Sequence, residues 1–217
     1  MQLHLFSTPG EPFLQDILNT ARELLAEKSA PLVLYLPAAA LQRHFIRETQ
    51  VAFRGMARVI GIKIESASPS RFQEALARTD LLYIPGGNSY LMAHRLHVAG
   101  VIGDLRQRLL AGLPLVAFSA GTVLCGPDIL TSNDVNECGC TDFDGLGMVP
   151  FNLNVHFPAD PGLEREERQT RLQVFSARHH RSVLALEDGA YVRVADGAVE
   201  VVRGNARWVN AGGRSEG

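Results

Sequence analysis

Short apolar runs alternate with stretches of helical periodicity along the first half of the chain. Several of the runs lack polar alternation, as is typical of strands that are covered on both faces. They are Leu3–Phe6, Leu32–Leu36, Val59–Ile64, Leu81–Ile84 and Leu115–Phe118. The segments between them predict amphipathic helices at Pro12–Lys28, Ala39–Phe53, Ser70–Ala77, Ser89–Leu96 and Ile102–Leu110. Repeated strand–helix units predict an α/β fold with a flavodoxin-like, doubly wound and mostly parallel sheet.

After Gly126 the pattern changes to short strand-like runs separated by tight-turn sequences. The runs are Val183–Leu186, Tyr191–Val194 and Val199–Val202, and Glu187–Gly189 and Asp196-Gly197 separate them. Such turns predict antiparallel hairpins that extend the sheet. One further helix is expected at about Leu163–Phe175. Because no linker or repeat divides the 217 residues, we expect a single domain that covers residues 1–217.

Charge and composition exclude several classes of protein. The chain has 21 Lys and Arg against 23 Asp and Glu, a net charge of −2, which gives no large electrostatic footprint for nucleic acid or an anionic membrane. No uncharged apolar run approaches the roughly 20 residues that a membrane helix needs, and the N-terminus lacks the pattern of a signal peptide. Three cysteines do not describe a disulfide scaffold. We therefore expect a cytoplasmic protein, for which a homo-oligomeric state is left open.

The segment Leu115–Val123 contains the most informative motif of the chain. An apolar strand ends abruptly at Ser119, which small residues follow. This is a variant of the nucleophile elbow, in which Ala117 replaces the first glycine of G-x-S-x-G. The backbone N–H of Ala120 would form one half of an oxyanion hole, and Gly87, after the preceding strand, would supply the other. The alternative is that Ser119 merely caps a helix.

Seven histidines are candidates for a general base. His156 is distinguished because Phe151–Pro158 resembles a strand that ends in a proline turn. A histidine at a strand end near a serine elbow is where a serine hydrolase needs its base. The other six, which the pattern alone does not exclude, are His4, His44, His94, His97, His179 and His180.

Taken together, five ordered motifs resemble the peptidase E family of cytosolic α-aspartyl dipeptidases, with cyanophycinases as more distant relatives. The motifs are Ile84–Asn88, Phe118–Gly121, Thr131–Asp134, Asn154–Phe157 and Arg165–Arg168. The resemblance implies Ser119 as nucleophile, His156 as base, an oxyanion hole from the Gly87 and Ala120 amides, and neither metal nor cofactor. The pair Cys138 and Cys140 has no second pair of ligands at zinc-site spacing.

A serine hydrolase also needs a carboxylate that orients the histidine and completes a catalytic triad. At this third member the sequence departs from the family pattern. The family places a Glu before a Gly in a C-terminal strand-turn, and this chain reads Leu186-Glu187-Asp188-Gly189 there. Matching on the glycine selects Asp188, whereas matching on residue type selects Glu187. We favour Asp188 because the glycine fixes the register and neighbouring strand residues face opposite sides.

Substrate contacts are also implied by the resemblance. Asp134 would bind the free amine, Arg165 or Arg168 would hold the substrate carboxylate, and Asn88 would add a polar contact beside the oxyanion loop. The alternative for the arginines is pairing with glutamates along an exposed helix.

The resulting expectation is a metal-independent serine dipeptidase for short peptides with an N-terminal aspartate. Within the same class, the alternative is a serine exopeptidase with relaxed or small N-terminal residue specificity, or with cyanophycinase-like activity. From another class, the alternative is a non-catalytic sensor on an amidotransferase-like scaffold, because a fold does not dictate a function.

Overall fold

The computed structural model describes residues 1–9, 14–37 and 44–210. Within them the strands are β1 (Gln2–Phe6), β2 (Leu32–Tyr35), β3 (Arg58–Gly61), β4 (Leu81–Ile84), β5 (Leu115–Phe118), β6 (Asn152–Phe157), β7 (Val183–Glu187), β8 (Tyr191–Ala195), β9 (Ala198–Arg203) and β10 (Ala206–Val209). The α-helices are α1 (Gln15–Leu24), α2 (His44–Ala52), α3 (Pro69–Ala77), α4 (Ser89–Val98), α5 (Ile102–Leu110), α6 (Ala120–Val123) and α7 (Leu163–His179).

A seven-stranded sheet forms the centre of the molecule. Its order is β3-β2-β4-β5-β1-β8-β9, in which the first five strands pair in parallel and β8 and β9 pair antiparallel. When β2, β3, β4 and β5 are counted as strands 1 to 4, they follow the flavodoxin-like order 2-1-3-4. The strand β1 lies beside β5, in the fifth place. The predicted fold class is confirmed, because β8 and β9 form the expected antiparallel extension.

A second sheet was not anticipated from the sequence. It has three strands in the order β10-β7-β6, in which β6 and β7 are parallel and β10 is antiparallel to β7. The prediction of a hairpin between β7 and β8 is therefore wrong. The turn at Glu187–Gly189 instead carries the chain from one sheet to the other.

Most other predicted boundaries lie within one or two residues of the observed ones, with three longer differences. The first helix ends at Leu24, four residues before the predicted Lys28. The third strand ends at Gly61, and Ile64 lies in a 3₁₀ turn rather than in the strand. The last helix continues past Phe175 to His179, where His180 adopts a left-handed conformation. Pro12 and the beginning of the helix predicted from Ala39 lie outside the described residues.

The core positions the candidate site at one edge of the main sheet. Apolar clusters fill both faces of this sheet, as expected for parallel strands that are covered by helices. The carboxyl ends of β1, β2, β4 and β5 meet at the same edge, where α/β folds bind their ligands. In the described ranges we find no helix that is long and apolar enough to cross a membrane.

Candidate active site

Ser119 lies on a strained turn between β5 and α6. Its backbone has φ 52° and ψ −118°, in the positive-φ region that residues other than glycine rarely occupy. Its backbone N–H donates to the carbonyl oxygen of Phe6 at 3.0 Å, which ties the turn to the end of β1. Within the described structure the side chain makes no capping hydrogen bond to α6. The helix-cap alternative is therefore wrong, and the hydroxyl is left available for chemistry.

Two glycines allow the backbone to pack closely around this turn. A Cβ on Gly121 would lie 2.4 Å from the carbonyl oxygen of Ile84, so only glycine lets α6 rest on the end of β4. A Cβ on Gly86 would lie 2.7 Å from the ring of Phe118 and 3.1 Å from the Cβ of Ser119. The turn at Ser119 needs glycine at positions 86 and 121 because a larger residue would collide with neighbouring atoms of the protein itself.

His156 contacts the hydroxyl of Ser119. The distance between Ser119 Oγ and His156 Nε2 is 2.9 Å. His156 stands at the end of β6 with φ 55°, another positive-φ conformation. Both of its backbone groups are held by side chains: its N–H donates to Ser7 Oγ at 2.9 Å, and its carbonyl accepts from Arg168 Nη1 at 3.3 Å. These two bonds stabilise a backbone geometry that would otherwise be unfavourable.

Asp188 completes a hydrogen-bonded chain of three side chains. Its Oδ1 lies 2.6 Å from Nδ1 of His156. An ionised carboxylate can only accept, so Nδ1 carries a proton and Nε2 is the acceptor for the hydroxyl of Ser119. Both partners are open to solvent, with side-chain exposures of 42% for His156 and 66% for Asp188.

Glu187, the alternative acid, does not reach the histidine. Its side chain is only 7% exposed and pairs with Arg165 at 3.2 Å. Its other oxygen accepts from Asn205 Nδ2 at 2.8 Å. The neighbouring residues Glu187 and Asp188 thus serve different sets of partners, as the alternation of faces along β7 predicts.

Ser7 and Thr8 are two site residues that the sequence analysis missed. Ser7 lies directly after β1 and is fully buried. Its Oγ accepts from the backbone N–H of His156 and donates to Asp188 Oδ1 at 3.4 Å. The hydroxyl of Thr8 accepts from the N–H of Gly189 at 2.9 Å. The end of β1 therefore orients both the histidine and the carboxylate, although no local motif marks it.

Gly87 and Ala120 flank Ser119 from two different elements. Gly87 follows β4 with φ 134°, and Ala120 is the first residue of α6. Neither backbone N–H has a hydrogen-bond partner within the described part of the chain. Both amides are therefore free to donate to a substrate oxygen.

Asn88 and Asp134 lie at the N-terminus of α4. Asn88 caps this helix by accepting from the N–H of Leu91 at 3.0 Å, and its amide donates to the carbonyl of Val135 at 2.9 Å. Asp134 Oδ2 accepts from the N–H of Ser89 at 2.7 Å and from Ser132 Oγ at 3.1 Å. Asn88 is thus occupied in a structural role, whereas Asp134 keeps Oδ1 without a hydrogen bond to the described residues.

The two predicted arginines of α7 differ in how completely they are paired. Arg165 donates through Nη1 to the carbonyls of Pro158 and Ala159, and pairs with Glu187. Arg168 forms an ion pair with Glu164 at 3.3 Å, and the side chain of Glu164 is 75% exposed. This is the pairing along the helix that the sequence analysis gave as the alternative role of the arginines. Arg168 contacts the backbone of His156, so it is the closer of the two to the hydrogen-bonded chain.

A third arginine, Arg171, also borders this region and was not singled out from the sequence. Its guanidinium donates to the carbonyl of Ser132 at 3.4 Å and to Asn133 Oδ1. Desolvation, and then the neighbouring charge of Arg168, lower the pKa of Arg171. The two guanidinium groups therefore raise the positive potential on this side of the site.

The cysteines are free thiols in unlike surroundings. Burial raises the pKa of Cys125 to about 12, as expected for a core residue rather than a nucleophile. Cys140 is buried and Cys138 is half-buried, and Asn136 bonds to both residues. Among the described residues no group of three or more His, Cys, Asp or Glu side chains is arranged to hold a metal ion.

A serine on a strained elbow, bonded to a histidine that a carboxylate orients, is the arrangement of a serine hydrolase. Here the arrangement stands at the carboxyl edge of a doubly wound sheet. The chain belongs to Peptidase family S51, whose family model matches residues 3–202. The resemblance read from the five motifs is thereby confirmed, and the protein is a serine-type peptidase.

Individual relatives agree with this family. A "Probable alpha-aspartyl dipeptidase" of Drosophila melanogaster is 30% identical over 215 residues, which cover 95% of this chain and 88% of that protein. A Streptomyces coelicolor protein named Peptidase E is 31% identical over 193 residues, 85% of this chain and 76% of its own length. A crystal structure from Listeria monocytogenes EGD-e has the same fold, with a TM-score of 0.75 at 19% identity, over 94% of this chain and 98% of its own.

Proposed function

We propose that the protein is a serine dipeptidase that hydrolyses short peptides with an N-terminal aspartate through an acyl-enzyme. The observation that carries the proposal is the hydrogen-bonded chain from Ser119 through His156 to Asp188 on the strained elbow. Family membership and the names of the relatives support a dipeptidase and do not favour the sensor or the cyanophycinase-like alternative.

The reaction follows from the direction of these hydrogen bonds. His156 Nε2 accepts the proton of Ser119 while Oγ attacks the first peptide carbonyl, and Asp188 stabilises the imidazolium that forms. The backbone N–H groups of Gly87 and Ala120 would donate to the developing oxyanion. His156 then gives its proton to the leaving amine. A water molecule, deprotonated by the same nitrogen, hydrolyses the ester of Ser119 and releases the aspartate.

Recognition of the first residue needs one anionic and one cationic group. Asp134 is the candidate for binding the free ammonium of the substrate. Its Oδ2 accepts the hydrogen bonds from Ser89 and Ser132 at the N-terminus of α4, and among the described residues its Oδ1 has no such partner. Arg168 is a better candidate than Arg165 for the substrate carboxylate, since Arg165 is held by Glu187 and two carbonyls. Arg171, next to Arg168, adds to the attraction for an anion. Asn88 contributes by shaping the oxyanion loop.

A panel of X-Leu dipeptides that differ only in the first residue tests the proposal. We expect Asp-Leu to have the highest kcat/KM, above Ala-Leu and Gly-Leu. Asp134→Asn should lower kcat/KM for Asp-Leu by about ten- to hundredfold, because a hydrogen bond to a charged group contributes about 1.5–3 kcal/mol. The same variant should hydrolyse a simple activated ester, which has no amine to bind, at the wild-type rate.

Arg168→Ala tests the other half of the recognition. It should lower kcat/KM for Asp-Leu more than for Ala-Leu, because only the first substrate carries a side-chain carboxylate. Equal losses for both would show that Arg168 only holds the backbone of His156. A wild-type preference for Ala-Leu or Gly-Leu over Asp-Leu would contradict the aspartyl assignment and leave a serine exopeptidase of other specificity.

A further inference from the structure

An apolar cavity of about 270 Å³ opens directly beside Ser119 and His156. Its walls come from the ends of β2, β4 and β5 and from α2. The described residues that give it its character are Tyr35, Phe45, Thr49, Tyr83, Pro85 and Phe118. The residues proposed to bind the first residue of the substrate, Asp134 and Arg168, are not part of this wall.

The described lining residues carry no formal charge, and aromatic rings in contact with one another form much of the wall. The ring centroids of Tyr35 and Tyr83 are 5.6 Å apart, and those of Tyr83 and Phe118 are 6.2 Å apart. Burial raises the pKa of Tyr35 to about 12, so this phenol stays neutral at physiological pH. A carboxylate placed here would lose its hydration without gaining a cation from the described lining residues, which is costly. The cavity therefore fits an apolar side chain.

We propose that this cavity is the subsite for the side chain of the second residue of the dipeptide, and that it selects leucine, phenylalanine or a similar apolar residue. The inference rests on the proposed function. A dipeptide places one side chain on each side of the scissile bond, and both must lie near Ser119. The acidic first residue needs a cation, which none of the described lining residues supplies, so the cavity is left for the side chain of the residue that leaves.

The size of the cavity agrees with a single side chain. Pockets that hold drug-sized ligands usually measure about 300–1,000 Å³. At about 270 Å³ this cavity is smaller, so its volume suits a smaller group such as one side chain. In an apolar pocket one methylene group changes kcat/KM by about 10- to 200-fold. We therefore expect Asp-Leu and Asp-Phe to be hydrolysed with kcat/KM about 10- to 100-fold above Asp-Ala, and Asp-Glu to be the poorest of the four.

A variant in α2 tests whether the cavity is the cause of this ranking. Phe45 lines the cavity and is 38% exposed, so it is not one of the buried core residues. Phe45→Ala should lower the ratio of kcat/KM for Asp-Phe to that for Asp-Ala by about tenfold, and Phe45→Leu should restore part of it. The matched control is Val51→Ala on the same helix, at a position that is 59% exposed and outside the cavity wall. It should leave the ratio unchanged.

The outcomes separate this inference from the proposed function. Equal kcat/KM for Asp-Leu, Asp-Phe, Asp-Ala and Asp-Glu in the wild type would overturn the subsite and leave the dipeptidase standing. A ratio that Phe45→Ala and Val51→Ala change equally would also overturn it. Hydrolysis of Leu-Ala faster than Asp-Ala would place the first residue in the cavity, and would contradict both the subsite assignment and the preference for an N-terminal aspartate. Failure to cleave any Asp-X dipeptide would instead contradict the proposed function.

Discussion

Replacing Asp188 with asparagine removes the charge that faces His156 and reverses the polarity of one hydrogen bond. The amide that this substitution introduces can donate to Nδ1 of the imidazole, which would place the imidazole proton on Nε2. In that tautomer Nε2 no longer accepts from the hydroxyl of Ser119, which lies 2.9 Å away in the wild type. We therefore expect kcat to fall while KM changes little, because the lost interaction acts on proton transfer rather than on binding.

The size of the loss follows from the solvent exposure of the pair. In a triad with a buried carboxylate the same change costs about 10⁴-fold in kcat. Here the Asp188 side chain is 66% exposed and that of His156 is 42% exposed, so water screens part of the attraction. We expect a loss of about 10²- to 10³-fold, which corresponds to about 3–4 kcal/mol at about 1.36 kcal/mol per decade.

Glu187→Gln is the matched control for this prediction. It leaves the contact between His156 and Asp188 in place but deprives Arg165 of its buried partner. Removing one member of such a pair is destabilising, so Tm should fall while kcat for Asp-Leu stays near the wild-type value below the transition. The assay is steady-state hydrolysis of Asp-Leu together with a thermal melt of each variant. A larger loss of kcat in Glu187→Gln than in Asp188→Asn would refute the reasoning.

Three further predictions concern the surroundings of the site. Gly121→Ala should lower both Tm and kcat, because its Cβ would lie 2.4 Å from the Ile84 carbonyl oxygen, whereas Gly103→Ala, with nothing within 4 Å, should lower neither. Ser7→Ala should lower kcat about tenfold at nearly constant KM, since its hydroxyl orients the base; unchanged kcat would contradict this role. Burial lowers the pKa of His4 from 6.5 to about 4, so as the pH falls the unfolded chain binds a proton there before the folded chain does. The free energy of unfolding, measured with urea, should therefore fall by about 2 kcal/mol between about pH 7.5 and pH 5. That share of the loss should vanish in His4→Leu, and an equally steep decline in the variant would contradict it.

The part of the site that follows from short, local patterns was predictable. The apolar run Leu115–Phe118 forms β5 with the predicted bounds, and the abrupt change to small residues marks the elbow at Ser119. The strand before Pro158 ends at His156 and Phe157, which brings the imidazole to the carboxyl edge of the sheet. The resemblance to a family then selected one histidine among seven.

The remaining features depend on contacts between distant parts of the chain. The turn Glu187–Gly189 has the same local signature whether it closes a hairpin or joins two sheets, so the pairing of β7 with β6 and β10 was not readable. Ser7 acts on residues more than 140 positions away, and nothing in its neighbourhood distinguishes it from an ordinary residue after a strand. Arg171 is a neighbour of Arg168 by its i, i+3 spacing on α7, but only the packing of α7 against Ser132 and Asn133 brings its guanidinium to the site.

Covalent labelling of the nucleophile tests the central claim most directly. A fluorophosphonate probe should add once to the wild-type protein, and peptide mapping by mass spectrometry should locate the adduct on Ser119. Labelling should be slowed by Asp-Leu, strongly reduced in His156→Ala, and absent in Ser119→Ala, which should also lack hydrolysis of Asp-Leu while keeping the wild-type Tm within about 2 °C. An adduct on another residue, or wild-type turnover of Asp-Leu by Ser119→Ala, would contradict the serine mechanism.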